Sequence, residues 1–132
     1  MAALHNVRLA ITTDRAHGIA RIIVSCDVDF TEYEVNEMNV LGLRYSLDCS
    51  LLDMDMLYPD TVVMFERESL PSVRGAATRS EHVSFATSAP MRALHQYVFG
   101  KDPLVAQLVL TNVESGAQVI GRSDVVAVDL AV

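Results

Sequence analysis

Four histidines (His5, His17, His82 and His95) and two cysteines (Cys26 and Cys49) are the residues best suited to metal or acid–base chemistry. No two of them stand at a zinc-ligand spacing, and neither Cys-x-x-Cys nor His-x-x-x-His occurs. Nucleophilic catalysis needs a serine or cysteine exposed beside a base, and the Gly-x-Ser-x-Gly elbow that does this locally is missing. Ser80 and His82 share a strand face by their spacing, which does not bring them into proton-transfer geometry. Phosphate loops and dinucleotide fingerprints are missing too. Glycoside hydrolysis requires two carboxylates across a cleft, and 17 acidic residues are too many to single out a pair. An enzyme built on this chain would draw its residues from separate strands, for instance a pocket lined by His82, His95 and a carboxylate.

The acidic residues say more once grouped by connection. If consecutive strands run antiparallel, Asp14, Asp53, Asp55, Asp60 and Asp102 collect at one end, and Glu32, Glu34, Glu37, Glu68 and Glu114 at the other. Calcium takes six to eight oxygen ligands from such loops. Asp14, Asp53, Asp55 and Asp60 form the candidate set, with calcium the one cofactor the sequence suggests. Asp is equally at home in turns as a bender and cap of the chain. The same loop carries Met54, Met56, Leu57 and Tyr58, four large apolar groups where a polar turn is usual. They either cap the end of the domain or form a contact patch, extended by Tyr97, Val98 and Phe99.

The charge balance narrows the partners. A formal charge of −7, with Lys101 the only lysine, leaves no basic footprint for nucleic acid. No apolar run approaches the length of a membrane span. The first residues lack the basic start and long apolar core of a secretory signal, so a cytoplasmic protein is expected, though a processed secreted chain would read the same.

The elements that would position these residues follow a period of two. Val7, Leu9 and Ile11 alternate in a first strand. Ala20, Ile22, Val24, Cys26, Val28 and Phe30 share a face of the second, and Leu43, Tyr45, Leu47, Cys49 and Leu51 of the third. Further strands are expected over 61–67, 78–86, 104–113 and 117–130, the last bent near Gly121. The 31–39 segment reads as a loop or a helical turn opened by a Thr31–Glu34 capping box. A short helix is expected near 89–98, with Ser88 as its cap, Pro90 in its first turn and Gly100 as its stop.

With 132 residues, the chain is expected to be a single all-β domain spanning 1–132. The expected architecture is an antiparallel sandwich of about seven strands, immunoglobulin-like in topology, with a closed barrel as the alternative. The two cysteines are read as buried thiols rather than a bridge, since the immunoglobulin disulfide has a wider spacing and a tryptophan beside it, and this chain has no tryptophan. The function that best fits is a non-enzymatic interaction or assembly module, a homo-oligomer or a subunit of a larger complex. A calcium-dependent binding domain and a motif-free enzyme are the alternatives.

Overall fold

Alternating apolar residues build most of the chain into strands. The computed structural model describes residues 1–54, 59–95 and 100–131. In chain order the elements are β1 (Ala3–Asp14), β2 (Ile19–Asp29), α1 (Glu32–Val40), β3 (Tyr45–Asp53), β4 (Asp60–Met64), β5 (Glu68–Leu70), β6 (Ser80–Pro90), α2 (Met91–Leu94), β7 (Asp102–Asn112), β8 (Gln118–Arg122) and β9 (Val126–Val128). They form two antiparallel sheets. One has the order β1-β2-β6; the other has β4-β3-β7-β8, with β5 also on β3 and β9 also on β7.

The expected strands over 61–67 and 117–130 each appear as two pieces. At the first break the Phe65 N–H still donates to the Cys49 carbonyl. At the second, Ser123 keeps the ladder satisfied: its N–H donates to the Ala106 carbonyl, and its hydroxyl accepts from the Ala106 N–H at 2.9 Å. Counting each broken pair once, the first, second and fifth strands form one sheet, and the fourth, third, sixth and seventh form the other. This is the order of an immunoglobulin-like sandwich, with one difference. In the constant-type domain the fourth strand pairs with the fifth; here it pairs with the third. Among the described residues β6 therefore has β2 on one side and no second neighbour.

Inside, Ile22, Val24, Cys26 and Val28 of β2 face Leu47, Cys49 and Leu51 of β3 and Leu104, Leu108 and Leu110 of β7, all buried. Each large apolar side chain so placed contributes about 1.5–3 kcal/mol. Met91, Leu94 and Leu130 close one end of the core; Phe30, Met38 and Leu70 close the other.

Three local features depart from the sequence reading. Asn6 has a positive φ of 52°, and the β1–β2 register shifts between His5 and Arg8. This bulge turns Leu4 to the same side as Val7, Leu9 and Ile11. It also lets β1 close on β8: a Cβ at Gly121 would stand 3.1 Å from the Leu4 side chain. The second departure is α1, which runs for nine residues behind a complete capping box. The Ser88–Pro90 segment, expected to open a helix, stays in the sheet because β2 holds it in register through the Ile19–Pro90 pair; the helix begins at Met91.

Candidate functional site

Among the described residues, the Met91 N–H donates to the Gly18 carbonyl, joining the first hairpin turn to α2, and the Met54 N–H to the Pro103 carbonyl, joining the end of β3 to the start of β7, both at 2.8 Å. Asp53 and Asp102 are buried at inward positions of β3 and β7. Asp53 pairs with Leu104, so the two acids are diagonal neighbours on one face, an arrangement with Cα separations of about 7–8 Å. The His95 ring, just after α2, places Nδ1 2.8 Å from Asp102 Oδ2.

The remaining predicted ligands are exposed where they are described. Asp60 lies directly across from Asp53 but is exposed. Asp14 is exposed in the turn, where hydrogen bonding from His17, 2.8 Å away, holds its carboxyl below its ordinary value. Asp55 is outside the described residues, as are Met56, Leu57, Tyr58, Tyr97 and Phe99 of the predicted contact patch; Met54 is half-buried. Among the described residues no three His, Cys, Asp or Glu side chains are grouped to hold a metal ion.

A second group was not legible in the sequence. On the outer face of the three-stranded sheet, Asn6 Nδ2 donates to Asp27 Oδ2 at 2.8 Å. Asp27 Oδ1 lies 2.8 Å from His82 Nδ1, and His82 Nε2 lies 3.5 Å from Ser84 Oγ. The pairing register that sets Asp27 opposite His82 creates the contact. Carboxylate, imidazole and hydroxyl follow one another as in a hydrolytic triad. The setting is different. The His82 side chain is 65% exposed on an open sheet face, its separation from Ser84 exceeds a working nucleophile–base hydrogen bond, and none of the main surface concavities is lined by these residues.

What the group does is tie the β1 bulge to β2 and β6. The Asn6 hydrogen bond, then that of His82, keeps the Asp27 carboxyl below its ordinary value of 3.8. Its contribution to stability is therefore present above that pH and is lost as the pH falls through the folded value. With Asp27→Ala, amide exchange at Asn6–Arg8 should accelerate while the Ile22–Cys26 amides keep their protection. Unchanged exchange at the bulge would contradict this role.

The most extended unpaired feature is the outer edge of β6. Ser80 to Pro90 pair with Asp29 to Ile19 of β2 with no shift or bulge. Among the described residues, the only bond to the outer edge is from the Thr78 hydroxyl to the Ser80 carbonyl. The other three edges are interrupted: β1 by its bulge, β4/β5 by a register shift and a break, β8/β9 by a break. Such interruptions are how proteins prevent edge-to-edge pairing. Glu81 points inward at this edge. Burial raises its pKa, and its Oε2 atom has no hydrogen-bond partner among the described residues.

Two other surfaces stand out. Tyr33, Val40 and Leu41 of the α1 segment are each at least 70% exposed and border an open concavity with Asn36 and Glu37. A small hollow lies beside Glu34, Tyr45 and Asn112. The polar groups there already bond one another. Compared with known protein families and with curated proteins, the chain matches none.

Proposed function

We propose that this chain is a non-enzymatic protein-interaction module that takes part in assemblies by accepting an extended strand along β6, as a subunit of a homo-oligomer or of a larger complex. One observation carries the reading. Among the described residues the longest uninterrupted edge is left open while the other three are blunted. Every second residue of such an edge directs both its N–H and its C=O outward, so an added strand gains main-chain hydrogen bonds from them. The outward side chains Ser84, Ala86 and Ser88 are small and offer no steric barrier.

Selection of displayed random decapeptides against the full chain tests this. Enriched peptides should alternate apolar and polar residues and shift the Ser80–Pro90 amides in NMR spectra. The double variant Ser84→Lys/Ala86→Lys, with lysines on an exposed face, should bind them at least about tenfold more weakly, as edge lysines do elsewhere. Peptides that bind the double variant equally well, or whose shifts map to Tyr33 and Leu41, would overturn the reading.

A further inference from the structure

Resting on strand addition at β6, we infer that the strand added is β6 of a second copy of this chain, running antiparallel about a two-fold axis at Ser84. The pairing would join two three-stranded sheets into one of six strands, with the same patch used by both partners.

The register follows from side-chain chemistry. With Ser84 opposite itself, the outer face sets Ser80 opposite Ser88 and His82 opposite Ala86. On the inner face Val83 meets Phe85 and Glu81 meets Thr87. On the inner face apolar residues meet apolar ones and a hydroxyl meets a carboxylate; on the outer face the serines meet serines. Moving the axis by one residue, to Phe85, would set Glu81 against Ala89 and Val83 against Thr87, and both matches would be lost.

The buried Glu81 Oε2 atom supplies a second, independent argument. It lacks a partner within the described chain, and a buried acceptor without a donor is costly. In the Ser84 register the hydroxyl of Thr87 of the partner subunit stands directly across from it and can donate. Charge does not oppose the pairing. Glu81 is the only acid from Ser80 to Ser88, and Arg or Lys is missing there. The two Glu81 carboxylates would lie six residues apart along the strands, about 20 Å.

Site-directed crosslinking of the full chain, read with its sedimentation mass, tests this. Cys26 and Cys49 are buried, so an introduced exposed thiol reports alone. Under mild oxidation Ser84→Cys should form a disulfide-linked dimer. Ala86→Cys should not, because its two copies would be offset by four residues, about 13 Å along the strands. The unmodified chain should sediment as two copies, Ser84→Lys/Ala86→Lys as one, and Thr87→Val should weaken the dimer about tenfold. A single-chain mass at every concentration, or equal crosslinking by both cysteine variants, overturns the inference. If the chain is monomeric yet selected peptides still shift the β6 amides, the second copy is the wrong partner and strand addition stands. If the dimer survives the double lysine variant, both fall.

Discussion

Glu34→Ala should lower stability by about 2–4 kcal/mol, near 10 °C in melting temperature for a domain of this size. The cost is large because one carboxylate serves three donors. It accepts from the Thr31 N–H at 2.8 Å, the Ala2 N–H at 3.0 Å and the Tyr45 hydroxyl at 2.9 Å. The first of these completes the capping box of α1, whose other half is the Glu34 N–H donating to Thr31 Oγ1. Loss of a cap alone costs about 1 kcal/mol. The remainder comes from leaving the Tyr45 hydroxyl and a backbone donor half-buried without their acceptor. Chemical denaturation of the variant checks the figure, and a change under about 0.5 kcal/mol, the range of ordinary surface substitutions, would refute the hub.

The same residue fixes the sign of an acid effect. Burial by itself raises the pKa of Glu34, but the hydrogen bonds from Thr31 and Tyr45 and the nearby ammonium outweigh it and leave the carboxyl below its ordinary 4.5. A depressed folded value means the stabilisation is fully present above about pH 4.5 and disappears as the pH falls through the folded pKa. The gap between wild type and Glu34→Gln should accordingly be constant at neutral pH and close in acid.

Neither thiol should react with a disulfide reagent in the native state at more than about a thousandth of its unfolded rate. Cys26 and Cys49 are buried in the facing layers of the core. Burial, with Asp27 adding to it, pushes the Cys26 thiol up to about 11; burial, with Cys26 adding to it, pushes Cys49 up to about 12. The thiolate is the reactive form, so at pH 8 both access and ionisation suppress the reaction. Labelling should follow global opening and rise with denaturant along the unfolding curve. A fast phase for either thiol in buffer alone would contradict this packing.

The β2 strand and the core of β3 were legible because each alternates cleanly for many residues, and a period of two has only one structural meaning at that length. The Thr31–Glu34 capping box was visible as well, yet α1 buries only Met38, so no apolar stripe announced a helix behind it. Leu4 faces the same side as Val7, Leu9 and Ile11 against the parity of their spacing, because one bulged residue at Asn6 reverses which positions face inward. Ser88 and Pro90 have the local character of a helix start, and long-range pairing with β2 overrode it. The Asp27–His82 contact depends on the register between distant strands, and the open edge of β6 on which neighbour the fourth strand chose. Neither choice is written in local pattern. The burial of Asp53 and Asp102 depends on their inward positions at the ends of β3 and β7, and the exposure of Asp60, directly across from Asp53, on its place in an edge strand; loop composition encodes neither.

The pairings that hold the two sheets together, β2 with β6 and β3 with β7, each join segments separated by roughly half the chain. A chain must close those long loops before either ladder offers any return, so its transition state is dominated by non-local contacts, and folding falls in the millisecond-to-second range of sandwiches rather than the microsecond range of helical bundles. Until the β2 ladder closes, both edges of β6 are unpaired. Refolding at high protein concentration therefore sets β2 in competition with other chains for the same strand, and the native structure settles the contest on one side only.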